Sequence, residues 1–243
     1  MLPAQPNQSL IDGVRCLQAV ATAGVPIGGR ELARRLEMEP TRANRLLKTL
    51  AAQGFLHQDG DRKYQPGAGM HVLAAQSLHG SGMLQRALPV LARLRRRRPA
   101  LIVALGVLWH DQVSYLYHAD PQTPPHQAIG RLGAYPASIS SIGMALLATR
   151  DDAEIRDLYR GRIIPGHPEG LGSLMGAIRT ARRRGFAHVV ESENPPHSTL
   201  AVTVGVPAEA AIAFAGHSLF PDAETLAVLL RQASLEITPP TTG

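Results

Sequence analysis

The chain has 243 residues, room for one large domain or two modest ones, and 44% of it is apolar while only 4% is aromatic. Its cores must therefore rest on Leu, Val, Ile and Ala. Twenty-five basic against nineteen acidic residues give a net charge of +6, which favours polyanionic partners but does not bear on the fold. A single cysteine, Cys16, excludes an internal disulfide framework and any zinc site built on several cysteines.

No apolar run approaches the ~20 residues of a membrane helix. The polar opening MLPAQPNQSLIDG does not resemble a signal peptide, so a reducing cytoplasm is the expected compartment. In chain order, SLIDGVRCLQAVATAG places Leu10, Val14, Leu17 and Ala21 at helical spacing, with Ser9 as N-cap and Gly24 as stop. GGRELARRLEM follows as a short helix with Leu32, Ala33 and Leu36 inward. In EPTRANRLLKTLAAQG, Pro40 suits the first helical position, and Ala43, Leu46, Leu47 and Leu50 share one face. Thr41, Arg45 and Lys48 point the other way, with Arg42 and Thr49 beside them. Gly54 ends that helix. Residues 55–58 and 62–65 flank DGD, a turn whose Gly60 tolerates positive φ. Three short helices and a hairpin with a charged tip form the layout of a winged helix-turn-helix, in which the third helix reads the major groove.

From Gly67 the pattern changes. GAGMHVLAAQSLHGSG predicts a connecting helix. MLQRALPVLARLRRRRP predicts another, with Leu84, Leu88, Leu91 and Leu94 along one side and the arginines at 95–98 complementing the negative end of its dipole. ALIVALGVL and VSYLYHA read as strands around WHDQ. SISSIGMALLAT, DDAEIRDLYRG and LGSLMGAIRTARRRG read as helices; FAHVVE, TLAVTVGV and AAIAFAG as strands. PDAETLAVLLRQASLEI closes as a helix with Pro221 and Asp222 at its start. Strand pairs alternating with helices predict an α+β domain whose antiparallel sheet is covered by helices.

Five motifs, in order and spacing, carry a resemblance to the IclR family of bacterial transcriptional regulators: SLIDGVRCLQAV, ELARRLEMEPTRANRLLKTLAAQGFL with KYQPGAGM, YPASISSIGMALLA, GFAHVVESENPPHSTLAVTVGVP and AAIAFAGH. The resemblance implies a winged DNA-binding domain over residues 1–66, a linker helix over 67–81, and a C-terminal α/β, GAF-like effector-binding domain with an antiparallel sheet over 82–243. It also implies double-stranded operator DNA and a small-molecule effector as partners. The assembly would be a homodimer or a dimer of dimers, and neither a cofactor nor a membrane is expected. Whether such a protein acts as a repressor or an activator depends on operator position.

The candidate DNA contacts are Thr41, Arg42, Asn44, Arg45, Lys48, Arg62 and Lys63. Arg42, Asn44 and Arg45 are the groove candidates, because Arg can fork to guanine and Asn to adenine. Asn44 lies toward the rim of the exposed face. Thr41, Lys48, Arg62 and Lys63 suit phosphates. Carried over residue by residue, the effector site comprises Ser138, Ser140, Ser141, Ile142, Val189, Glu191, Thr199, Ala213 and Ala215.

The family's pocket often has an acidic group at Val189, a cysteine at Thr199 and serines at Ala213 and Ala215. Its His, Thr and Lys are Ser138, Ser140 and Met144 here. The expected effector is therefore larger and less polar, or more hydroxylated, than a two-carbon keto acid. Backbone N–H groups over 140–143 could still receive an anion.

Other readings bring other residues forward. His110, Asp111, His118 and Asp120 share one predicted hairpin, but no tight metal-ligand spacing occurs. Glu191 and Glu193 would be the acid/base pair of an enzyme, yet no nucleophile elbow, P-loop or dinucleotide fingerprint is present. A DNA-binding protein with a degenerate pocket is the other alternative. The clusters RLRRRRP and RTARRRG read as solvated helix ends.

Overall fold

The computed structural model of the protein describes residues 5–130, 135–193, 196–217 and 222–238, the side chains at 192 and 193 excepted. The side chain of Glu193 and the helix-leading Pro221 thus lie outside the described residues. The chain divides into two compact units, residues 1–81 and 82–243.

The first unit packs α1 (Gln8–Thr22), α2 (Gly29–Arg35) and α3 (Pro40–Ala52) over a three-stranded sheet. Its strands are β1 (Ile27–Gly28), β2 (Leu56–Gln58) and β3 (Lys63–Pro66), in the antiparallel order β1-β3-β2. Cys16, Val20, Ile27, Leu32, Leu47, Leu56 and Tyr64 make the core. Residues 68–81 continue as α4 (Ala68–Ser81), which buries none of its residues.

Three local expectations are corrected here. The N-cap of α1 is Asn7, whose Oδ1 accepts the Leu10 N–H at 3.1 Å, rather than Ser9. The buried face of α1 carries Asp12, Cys16 and Val20. Leu10 and Val14 are 67% and 39% exposed, roughly a third of a turn or more round the helix from that face. The hydropathy pattern misleads because the inward row holds an aspartate, which is tolerated there through its ion pair with Arg42. At the wing tip the left-handed residue is Arg62, at φ 60°, not Gly60. Asp59 shapes that turn by accepting the N–H groups of Asp61 and Lys63 at 3.0 and 2.8 Å.

The second unit is built on a six-stranded antiparallel sheet with strand order β6-β5-β4-β9-β8-β7. These strands are β4 (Ile102–Trp109), β5 (Gln112–Ala119), β6 (Tyr135–Pro136), β7 (Ala187–Glu193), β8 (Pro196–Val204) and β9 (Ala210–His217). The α+β class and the antiparallel sheet agree with the sequence reading, which did not anticipate the two-residue strands β1 and β6.

Side chains alternate across the sheet, and the two faces differ in size. Val103, Leu105, Leu200, Val202, Ile212 and Phe214 occupy one face, all buried. They belong to the strands on which α5 (Met83–Arg97) and α9 (Ala223–Ile237) pack. The other face is floored by Ala104, Ala201, Ala211 and Ala213, which join a core with Ile142, Leu146 and Leu147 of α6 (Ser141–Leu147). A Cβ on Gly106 would meet Ile142 Cγ2 at 3.2 Å, so α6 lies close on a floor of small residues. Two further helices, α7 (Asp152–Tyr159) and α8 (Leu171–Arg184), complete this side. Among the described residues no helix is long and apolar enough to cross a membrane.

Candidate nucleic-acid surface and effector cavity

The third helix separates scaffold from surface by its period. Ala43 and Leu47 are buried, while Thr41, Asn44, Arg45, Lys48 and Thr49 are exposed. Pro40 opens the helix, and the Glu39 carboxylate caps it by accepting the N–H groups of Thr41 and Arg42 at 2.8 and 2.7 Å. Those bonds hold the Glu39 carboxyl below its ordinary pKa. Arg62 and Lys63, both exposed, stand at the wing tip of the same unit.

Arg42 departs from its expected place. Its guanidinium is 2.8 Å from Asp12 Oδ2, and Asp12 is only 4% exposed. Gln8 Nε2 donates to Asp12 Oδ1 at 3.0 Å, and Arg15 approaches the same oxygen at 3.4 Å. Arg42 is therefore a strut between α3 and α1, since freeing it would leave a buried carboxylate short of its partner. Asn44, which the sequence places toward the rim, is the more open of the two.

In the second unit, a cavity of about 340 Å³ opens on the small-residue face. Seven of the nine expected effector residues line it: Ser140, Ser141, Ile142, Glu191, Thr199, Ala213 and Ala215. Its existence follows from the floor: the alanines that admit α6 leave space where α6 does not reach. Thr199 is 8% exposed, and its Oγ1 has no hydrogen-bond partner among the described residues. A buried hydroxyl left unpaired is a standing invitation to a polar ligand atom.

Ser140 caps α6, its Oγ accepting the Gly143 N–H at 3.3 Å. One of the N–H groups expected to receive an anion is thus already taken. Glu191 lies in β7, at a register shift between Val190 and Ser192. A bulge re-aims a side chain, and the Glu191 carboxylate reaches His197 Nδ1 at 2.9 Å.

Ser138 and Val189 are not in this group. They line a neighbouring cavity of about 470 Å³ between α8 and β7, which shares Tyr135 and Glu191 with the first. Ser138 is a tie, its hydroxyl donating to Pro165 O at 2.8 Å. His167 braces the same segment, with Nε2 3.2 Å from Ser138 O and Nδ1 3.0 Å from Ser173 Oγ.

Sequence reasoning missed Tyr115, His118, Asp120, Tyr135 and His197 as lining residues of the 340 Å³ cavity. The only signal was the hairpin cluster weighed for a metal, and the structure divides that cluster. His118 and Asp120 face the cavity, Asp111 pairs with Arg162 at 3.1 Å, and His110 sits in a tight turn at φ 55°. Of the two arginine clusters, Arg95 donates to the carbonyls of Asp120 and Thr123. Arg182 holds Asp152 at 2.6 Å and the Ala148 carbonyl at 2.9 Å. These two are structural ties, while Arg96, Arg97, Arg98 and Arg183 are exposed, as the solvated-end reading expects.

Comparison with known proteins adds two matched domains. Residues 9–60 match the IclR helix-turn-helix domain, and residues 75–219 match the bacterial transcriptional regulator IclR C-terminal domain. The transcriptional regulator KdgR of Escherichia coli K12 is 25% identical over 185 residues, covering 73% of this chain and 69% of that protein. The regulator BhcR of Paracoccus denitrificans is 28% identical over 190 residues, covering 72% of this chain and 64% of its own. Among solved structures, an IclR regulator from a Silicibacter species superposes with a TM-score of 0.79 at 22% identity, over 96% of this chain and 98% of that one. An IclR homolog from Microbacterium hydrocarbonoxydans, complexed with 4-hydroxybenzoate, gives 0.67 at 21% identity, over 95% and 97%.

Proposed function

Since the chain belongs to the IclR family of bacterial transcriptional regulators, we propose that Asn44 and Arg45 read bases in the major groove. Thr41, Lys48, Arg62 and Lys63 would grip phosphates. Bidentate Arg–guanine and Asn–adenine pairs supply sequence information, whereas phosphate contacts supply affinity and register. The observation that carries this reading is the exposed row at Thr41, Asn44, Arg45 and Lys48 on a helix whose other face is locked into the core. Arg42 would serve as the strut that sets the angle of that helix.

In the sensor unit, the 340 Å³ cavity is the proposed effector site. No Arg or Lys lines it among the described residues, so a carboxylate would find no fixed countercharge there. Hydroxyls on Ser141 and Thr199, imidazoles on His118 and His197, and carboxylates on Asp120 and Glu191 offer both donors and acceptors. That set suits a hydroxylated, uncharged ligand larger than a two-carbon keto acid. A neutral, single-ring hydroxylated compound meets that description. The 4-hydroxybenzoate named for the Microbacterium homolog shares the ring and the hydroxyl but adds a carboxylate, for which no Arg or Lys lines this cavity among the described residues.

The working form would be a homodimer or a dimer of dimers on a near-palindromic operator, acting on chromosomal DNA in the cytoplasm. An effector favouring one arrangement would shift the population of DNA-competent assemblies. The test is fluorescence anisotropy of the pure protein on its own upstream DNA and on scrambled duplexes, followed by a thermal-shift panel of hydroxylated and carboxylated metabolites. We expect preference for the upstream fragment and stabilisation by hydroxylated neutral compounds. Equal affinity for both duplexes would reject the DNA reading. Stabilisation by glyoxylate or pyruvate alone would reject the effector class.

A further inference from the structure

We infer that the second cavity, between α8 and β7, is a separate ligand site that takes a compact monocarboxylate with an aryl or branched-acyl body. This goes beyond the effector cavity proposed above: the two cavities share Tyr135 and Glu191, and the case for this one stands on Arg184, His188 and its own apolar wall.

The volume comes first. At about 470 Å³ the cavity is larger than its neighbour and within the range that holds small organic ligands. Its walls come next. Ile139, Met144, Ala177, Ala181, Phe186 and Val189 supply an apolar lining, enough to shelter one ring or a short branched chain from water.

Charge decides the class. Arg184 is the only Arg or Lys lining either cavity among the described residues. It forms no ion pair with any described carboxylate, and its guanidinium carbon lies 6.0 Å from the centroid of the Phe186 ring. His188, on the same wall, has its pKa lowered by burial and then by the Arg184 charge, so at neutral pH it is an uncharged imidazole beside a fixed cation.

One uncompensated positive charge beside an apolar chamber matches one carboxylate on an apolar body. A phosphate dianion would call for more donors than one guanidinium supplies. Glu191 borders the cavity, but its carboxylate is engaged with His197, which lines the effector cavity and not this one. The fixed cation therefore stands in one chamber, and the carboxylate that contacts His197 is turned toward the other.

The experiment titrates the full-length protein with benzoate and with benzamide, its uncharged counterpart of similar shape. Affinity is read by calorimetry, and the His188 ring by NMR with isotope-labelled histidine. We expect benzoate to saturate the protein with at least tenfold preference over benzamide, and bound benzoate to move the His188 titration to higher pH. Arg184→Gln should weaken benzoate at least tenfold, with Arg184→Lys between the two. Because Arg184 is exposed, both variants should melt with the wild type. Thr199→Val, in the effector cavity, should leave benzoate affinity unchanged.

Several results would overturn the assignment: no saturation by benzoate, equal affinity for benzamide, indifference to Arg184→Gln, or loss of benzoate binding in Thr199→Val. The benzoate–benzamide comparison uses the wild type alone and holds even if a variant misfolds. Failure here would leave the effector cavity untouched, since that reading is tested by neutral hydroxylated compounds.

Discussion

The proposed recognition helix and the proposed effector cavity would place function on opposite sides of their scaffolds. On α3 the buried face is aliphatic and the working face is polar and exposed, so one helical period separates structure from function. In the sensor, Ser140, Ser141, Thr199 and Ala213 are as buried as the core around them. Their proposed role rests on space left by small side chains and on the Thr199 hydroxyl, which has no partner among the described residues. A surface site announces itself by what it adds. An interior site is defined by what is missing, which only the assembled sheet reveals.

Substitutions can break that contrast, beginning with the largest effect. A Cβ on Gly143 would stand 2.3 Å from Ala137 O and 2.4 Å from Ala137 Cα, so Gly143→Ala must displace backbone beside the effector cavity. Denaturant titration should show a loss of about 3 kcal/mol, together with a lost effector response. Asp12→Asn comes next. It weakens the strut to Arg42, and about 2 kcal/mol should disappear from the stability of the winged unit. Operator affinity should fall with it. Unchanged stability would return Arg42 to the list of base readers.

Stability and effector affinity should part company at Thr199→Val. Removing an unpaired buried hydroxyl should raise stability by about 1 kcal/mol while weakening the effector, a divergence that a core residue would not show. The smallest effect concerns Glu39. Its folded pKa is depressed by the backbone N–H groups it accepts, so its stabilising contribution is present above the unfolded carboxyl pKa. That contribution is lost as pH falls through the folded value. Glu39→Gln should flatten this acid-side decline, as read by thermal melts across mildly acidic pH.

The order and type of the main elements were legible because period and punctuation act locally: the leucines of α3, Gly54 and the alternating strands all speak within a few residues. Misreadings occurred where distant residues decide. Leu10 and Val14 look like core until Arg42, thirty positions on, shows why Asp12 faces inward. The wing's strain at Arg62 follows from Asp59 capping two N–H groups, not from the glycine. The motif carry-over assembled seven cavity residues, but the separation of Ser138 and Val189 depends on how α8 closes against β7. Tyr115, His118, Asp120, Tyr135 and His197 come from three separate strands and a turn. Nothing in their local spacing could unite them.

The central claim is that an exposed arginine on a braced helix reads DNA sequence. Its most direct test is the ratio of affinities for upstream and scrambled duplexes, measured by anisotropy at fixed salt for the wild type and Arg45→Ala. The account predicts that the ratio falls at least tenfold, as losing a bidentate base contact of ~1–3 kcal/mol implies, while melting and scrambled-DNA binding stay close to wild type. A ratio unchanged by Arg45→Ala would contradict it.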